Sequence, residues 1–336
     1  MQIRIVMEIG KIPADVLEKI VIGPLTKNKI RDDVVIRPAT GEDCSAIDME
    51  DKLCVVSSDP ITGADKYAGY LAVHINCNDI ASAGAEPVGI LLTVLLPPDS
   101  DEQLLKELSD GAKKAADELG IEILGGHTEV TAAVNKPVIS GTAIGKAKKG
   151  AFVSTSGAKV GQDIIITKWA GLEGTAVIAN DNEDYLKEVL DKETVERAKS
   201  LKDNISVVKE ALIASSMGAT CMHDATEGGV LGAIWEVCSC SHKGCEVYED
   251  LIPVREETIK ISNLANINPL RLISGGTLIL TAFEGEKIVN RLEDENISAK
   301  IIGKITEGKA MIKRNNNIEE MEAPVSDELY KVNFGK

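Results

Sequence analysis

Three stretches place acidic groups beside small residues, where the backbone can approach a ligand closely. They are Gly41-Glu42-Asp43, Ser57-Ser58-Asp59 and Gly125-Gly126-His127-Thr128-Glu129. Taken singly, each has the composition of an ordinary turn. The apolar run from Ala72 to Ala81 is less ordinary, because it contains His74, Asn76, Asn78 and Asp79. On a helix, His74 and Asn78 share one face, and so do Asn76 and Asp79. Burying such groups without partners costs about 1–3 kcal/mol each. The opposite face is apolar too, so a core network, a ligand, a metal or a facing subunit has to supply those partners. Carboxylates gathered this way suit Mg²⁺, which takes oxygen ligands and binds through a few carboxylates plus phosphate oxygens. Other phosphate-binding signatures are missing: no G-x-x-x-x-G-K-[ST] loop, no G-x-G-x-x-G after a strand, no kinase signature set. Residue type and spacing alone are compatible with a metal–anion site and go no further.

The elements that must position these residues follow from hydrophobic periodicity and breakers. A short helix is expected over residues 13–22, started by Pro13 and ended by Gly23-Pro24. A buried strand runs from Leu53 into Ser58. A helix from Lys66 to Ala83 carries the polar cluster and stops at Gly84. A strand over Val88–Leu96, an amphipathic helix over Asp101–Leu119 and a strand over Ile121–Leu124 come next. Gly125 to Glu129 reads as the loop after that strand, and Pro137–Ile144 as the last strand of the first half. The basic connector Lys146–Gly150 is the expected domain boundary, giving units 1–150 and 151–336. In the second half, a strand over Asp163–Thr167, helices near 174–180 and 205–217, a loop from His223 to Gly229 and a strand over Thr277–Thr281 are expected. The last twenty or so residues are polar and are expected to fray.

A chain of 336 residues exceeds the usual size of one core, so two domains are the default. Apolar residues make up 44% and aromatics 3%, so the cores are aliphatic, as in sheets covered by helices. The formal charge of −16 argues against general nucleic-acid binding and means that a polyphosphate site needs a divalent cation or a local basic patch. The N-terminal stretch does not read as a signal peptide, and no run approaches the ~20 apolar residues of a membrane span. Seven scattered cysteines do not form a disulfide framework, so a reducing cytoplasm is expected.

Seven stretches in order resemble the aminoimidazole-ribonucleotide (AIR) synthase superfamily. They are Gly41–Ala46, Ser57–Pro60, Asn76–Pro87, Gly125–Glu129, Gly171–Thr175, His223–Gly229 and Ser274–Gly276. Asn78-Asp-Ile-Ala81 with the following Gly and Pro, and His223-Asp-Ala-Thr-Glu-Gly-Gly229, are the specific ones. The hydrogenase-maturation branch is nearest in pattern. The resemblance implies an α/β fold of two domains, with a mixed N-terminal sheet domain that dimerises and a C-terminal α/β domain. It implies ATP and Mg²⁺ near that interface. Asp43, Asp59 and Asp79 become the catalytic, metal- and phosphate-binding residues, with Asn76 or Asn78 as a neighbouring polar ligand. Gly125, Gly126, His127 and Thr128 would face the phosphates. Asp224, Thr226, Gly228 and Gly229 belong to the loop that would close over the second substrate.

Some positions depart from the pattern. His127 stands where the kinase and maturation branches carry Asp and AIR synthase carries Glu. The maturation branch works through a cysteine at the extreme C-terminus, whereas this sequence ends Val332-Asn-Phe-Gly-Lys336 and has its last cysteine at Cys245. Its reaction is therefore not expected to proceed in that manner. The expectation is an ATP- and Mg²⁺-dependent enzyme that phosphorylates an amide, carbonyl or phosphate oxygen of a small substrate. The alternatives are a non-catalytic nucleotide-binding partner in cofactor or hydrogenase maturation, and a kinase of the thiamine-phosphate type. A maturation-protein partner fits the first two readings. Separately, Cys238, Cys240, His242 and Cys245 offer soft ligands within eight residues, at a spacing that no standard zinc finger uses.

Overall fold

The computed structural model describes residues 12, 14–27, 30–62, 67–315, 317–324 and 326–334. Two mixed seven-stranded sheets organise it. The first contains β1 (Val34–Ile36), β2 (Ser45–Asp48), β3 (Lys52–Ser57), β4 (Pro60–Ile61), β5 (Glu86–Leu96), β6 (Glu122–Val130) and β7 (Val138–Lys148). Its order is β1-β2-β3-β7-β5-β6, with the short β4 on β7. One face is covered by α1 (Ala68–Ser82) and α2 (Glu102–Leu119).

Every residue of α1 is buried, polar ones included. Close approach makes this possible. A Cβ on Gly69 would sit 1.9 Å from the Leu108 carbonyl of α2. One on Gly145 of β7 would sit 2.2 Å from Ile80. Helix α2 is amphipathic and turns Leu108, Ala112, Ala115 and Ala116 inward. Asp101 caps its start by accepting from Leu104 N at 2.8 Å, and left-handed Gly120 ends it.

The second sheet contains β8 (Asp163–Thr167), β9 (Cys221–Asp224), β10 (Gly244–Tyr248), β11 (Leu278–Ala282), β12 (Ala299–Thr306), β13 (Ala310–Arg314) and β14 (Asn317–Glu320), in the order β14-β13-β10-β12-β8-β11-β9. Around it lie α3 (Leu172–Asp181), α4 (Glu183–Val189), α5 (Lys192–Ser200), α6 (Val208–Ser216), α7 (Gly229–Ser241), α8 (Glu256–Ala265) and α9 (Gly285–Asp294). Strands β8 and β11 are buried almost throughout, as continuous apolar runs predict. Among the described residues, no helix is long and apolar enough to cross a membrane.

Four expectations are corrected. The N-terminal helix does not stop at Gly23-Pro24: Ala14–Leu17 and Glu18–Ile22 continue into Gly23–Thr26. Gly23 N bonds back five residues to Glu18 O, so the helix restarts and Pro24 falls in a first turn, where no N–H is needed. Pro13 and Lys66, the expected helix starts, lie outside the described residues. Gly125–Glu129 is not a loop but the second half of β6, parallel to β5. The register skips at Leu124, so the glycine pair follows a bulge and stays in the ladder. His223 and Asp224 end β9 rather than opening a loop.

The C-terminal segment packs instead of fraying. Asp327 is 2% exposed and accepts from Gly228 N (2.7 Å), Leu329 N (2.8 Å) and Ile273 N (3.1 Å). Tyr330 donates to Glu227, and Phe334 stacks on Tyr185. A single buried carboxylate with three backbone donors outweighs the polar composition around it.

Candidate active site

The sites of interest lie where the two sheet domains meet. Asp43 precedes β2, Asp59 follows β3, Asp79 projects from α1 and Asp224 ends β9. Ser57 Oγ ties the first domain's part together, at 2.6 Å from Asp79 Oδ2 and 3.0 Å from the Asp43 carbonyl. Asn76 fixes the Asp59 backbone. Its Oδ1 accepts from Asp59 N at 2.9 Å, and its Nδ2 donates to the carbonyls of Asp59 (3.2 Å) and Ala72 (2.8 Å).

Bonds across the domain boundary close the arrangement. Asn78 donates to Ile205 O and accepts from Val207 N, both at 2.8 Å. Ser154 donates to Glu42, and Cys240 Sγ donates to Thr40 O at 3.2 Å. His223 Nδ1 lies 3.1 Å from Asp43 Oδ2, and its Nε2 lies 3.0 Å from Glu236 Oε2.

The electrostatics are those of a site with too much negative charge. Burial, then repulsion from Asp224, Asp43 and Asp59, holds the Asp79 carboxyl well above the usual carboxylate range. Burial and Asp43 push Asp224 up to about 7, and burial does the same to Glu42. Burial alone would lower His223, but Asp43 and Glu236 outweigh it and hold the imidazole well above its ordinary value. Asp224 Oδ2 has no hydrogen-bond partner among the described residues. Clustered, desolvated carboxylates with an orphaned oxygen are the donor set a hard divalent cation requires, so these residues fit a Mg²⁺–polyphosphate group.

The structure thus brings Asp43, Asp59, Asp79 and Asp224 together. Asn76 and Asn78, expected as ligands, direct their amides to backbone groups at Asp59, Ala72, Ile205 and Val207. Gly125, Gly126, His127 and Thr128 lie apart from the acidic cluster. They line a cavity of ≈ 290 Å³ between the sheet edge and α2, with Leu92, Val94 and Leu108 among its walls. His127 pairs there with Glu129 at 3.2 Å. Thr226 accepts from Gly229 N in the loop after β9. Gly228 (φ 86°) and Gly229 (φ 63°) adopt left-handed backbone, and a Cβ on Gly229 would meet the Leu272 carbonyl at 2.6 Å.

Sequence reasoning did not single out Ser57, Glu42, His223, Glu236 or Glu173 as site residues. All except Glu236 sit inside stretches already conspicuous for glycine or acid, which is the signal that was there to use. Glu173 on α3 is buried, accepts from Gly275 N at 3.1 Å and is pushed by burial up to about 7. The four soft ligands do not converge. Cys238 and Cys245 share a thiol hydrogen bond in the core, Cys240 meets Thr40, and His242 closes α7 in left-handed conformation.

Comparison with known proteins bears on family and fold. The family model "AIR synthase related protein, N-terminal domain" matches residues 41–147, and its C-terminal counterpart matches residues 159–313. The carbamoyl dehydratase HypE of Bradyrhizobium diazoefficiens is 27% identical, over 72% of this chain and 70% of its own. The thiamine-monophosphate kinase of Pyrococcus horikoshii is 26% identical, over 84% and 88%. Among solved structures, the hydrogenase maturation protein HypE in complex with ATP superposes with a TM-score of 0.71 at 21% identity, covering 96% of this chain and 97% of that one. The HypE–HypF complex gives 0.70 at 23% identity, over 83% and 93%. Matched by both models over most of its length, this chain belongs to the AIR synthase related protein family.

Proposed function

We propose that this chain is an ATP- and Mg²⁺-dependent enzyme that transfers phosphate to an amide, carbonyl or phosphate oxygen of a small substrate. The observation that carries the reading is the convergence of Asp43, Asp59, Asp79 and Asp224 from four separate places in the chain into one over-acidic cluster, with Asp79 and Asp224 buried and Asp43 and Asp59 open to solvent. ATP-bound HypE and the kinase and dehydratase relatives support it.

Asp43, Asp59 and Asp79 would hold the cation, which when bound supplies the positive charge that draws the phosphates in and offsets charge developing on the transferred group. The chain's own residues do the positioning. Ser57 holds the Asp79 carboxyl, Asn76 holds the Asp59 backbone, and Asn78 fixes α1 against the second domain. Asp327 pins the Asp224–Gly229 loop, which forms the wall for the second substrate. With units 1–150 and 151–336 taken as the two domains, the cleft would lie between them. Exposed apolar residues along β5 and β6, Val88, Leu91, Leu124 and Val130 among them, support dimerisation through the N-terminal sheet. The HypE–HypF structure supports a maturation-protein partner.

The enzyme reading predicts slow, Mg²⁺-dependent release of ADP from ATP, followed by phosphorus NMR or coupled assay, and its abolition in Asp79→Ala. Equal turnover in the variant would remove the cluster from the reaction. Nucleotide binding without turnover would favour the non-catalytic alternative.

A further inference from the structure

The proposed nucleotide site gives His223 no task, although its placement is highly constrained. The residue is 3% exposed, and its two ring nitrogens meet different carboxylates. Glu236 reaches Nε2 from α7 at 3.0 Å. A hydrogen bond donated from Nε2 to Glu236 fixes the ring plane and turns Nδ1 toward Asp43, 3.1 Å away, where the proton that Nδ1 donates to Asp43 is the one an entering cation would displace. This is the arrangement in which a histidine ligates a metal through one nitrogen while a carboxylate orients it through the other.

The neighbouring residue supplies a second, independent sign. Asp224 is 1% exposed, and its Oδ2 has no hydrogen-bond partner among the described residues. One ligand atom each from Asp43, His223 and Asp224 can be chosen so that all lie within 4.8 Å of one another. Ligands bound at about 2.1 Å sit about 3 Å apart when adjacent and about 4 Å apart when opposite, so a small divalent ion fits such a spread.

We infer that His223 Nδ1, Asp43 and Asp224 form a divalent-cation site of mixed imidazole–carboxylate character, oriented by Glu236, that selects a first-row transition ion over Mg²⁺ or Ca²⁺. Mg²⁺ and Ca²⁺ take oxygen donors, whereas imidazole nitrogen favours transition ions. The site lies in the cleft of the proposed function and shares Asp43 with it, but it requires no nucleotide. A rival account makes the Asp43–His223–Glu236 chain a charged strut between the domains, and that account puts no nitrogen on a metal.

The test uses Mn²⁺ alone, added to the full chain without nucleotide and followed by electron paramagnetic resonance. The expected result is one tightly held ion per chain whose electron-spin-echo modulation shows coupling to a directly bound ¹⁴N. That coupling disappears in His223→Gln and persists in His127→Gln. Mn²⁺ affinity falls roughly tenfold or more in Glu236→Gln, which removes only the orienting carboxylate. Mg²⁺ displaces Mn²⁺ more readily from His223→Gln than from the unaltered chain. Absence of a bound ion, a bound ion without ¹⁴N coupling, or coupling unchanged in His223→Gln would each overturn the inference. Should His223→Gln fail to fold, the ¹⁴N coupling of the unaltered chain and its response to Glu236→Gln decide the matter. Mg²⁺-dependent ATP binding with no ¹⁴N coupling sinks this inference alone; ¹⁴N-coupled Mn²⁺ without ATP binding sinks only the proposed function.

Discussion

Glu173 shows how a buried acid reports on the state of the cleft. It is buried on α3 with Gly275 N as its donor, and burial pushes its carboxyl up to about 7 from an ordinary 4.5. A carboxyl with a raised folded-state pKa binds its proton more tightly in the native state. Its stabilising contribution is therefore complete below the unfolded value and is lost as pH rises through about 7. Glu173→Gln keeps an acceptor for Gly275 N but cannot titrate. Relative to the unaltered chain, the variant should gain about 2–3 kcal/mol of stability between pH 5 and pH 8, measured by denaturant unfolding at both. An unchanged difference would mean that Glu173 is ionised throughout.

At this scale the sequence told part of the story. Asp43, Asp59 and Asp79 were conspicuous because each sits beside small or polar residues in an apolar setting. The work of Asn76 and Asn78 was not readable, since only the fold shows that their amides face the backbone at Asp59, Ile205 and Val207 rather than a ligand. Nor could spacing reveal that His223 meets Asp43, 180 positions away.

The elements most in need of the folded structure are those whose local composition points the wrong way. Gly125-Gly126 has turn chemistry, yet a long parallel neighbour, β5, keeps the pair in the sheet. The C-terminal segment has the polarity of a frayed end, yet Asp327 binds it to the Gly228 loop and to Ile273. Helix α2 was legible because its amphipathic pattern and caps agreed with its tertiary role, and α1 because its apolar run stops at left-handed Gly84. The account makes the C-terminal strap a structural part of the second-substrate wall. Asp327→Ala leaves three backbone donors without their acceptor and should cost about 3 kcal/mol in chemical unfolding. Hydrogen exchange should rise at Gly228 and Ile273 first. Protection unchanged at both would mean that the segment merely rests on the domain.

For the whole molecule, the open face of the N-terminal sheet carries the proposed dimer. Val88 and Leu91 are exposed on β5 while α1 and α2 cover the opposite face. Leu91→Glu should convert a dimer to a monomer in sedimentation velocity with little change in circular dichroism, because the residue contributes little to the monomer's own core. A monomeric unaltered chain would remove that assembly. Two-domain organisation and fold class were readable from length, aliphatic composition and the order of the matching stretches. The meeting of the domains was not, because it depends on contacts such as Asn78–Val207 and His223–Asp43 between distant residues.

The central claim is that the acidic cluster exists to hold a cation-bridged nucleotide. Calorimetric titration of ATP, with and without Mg²⁺, into the unaltered chain and into Asp79→Asn tests it most directly. The account predicts saturable binding that requires Mg²⁺ and weakens on the order of tenfold or more in the variant. Binding indifferent to Mg²⁺ and to the substitution, or no binding under any condition, would contradict it.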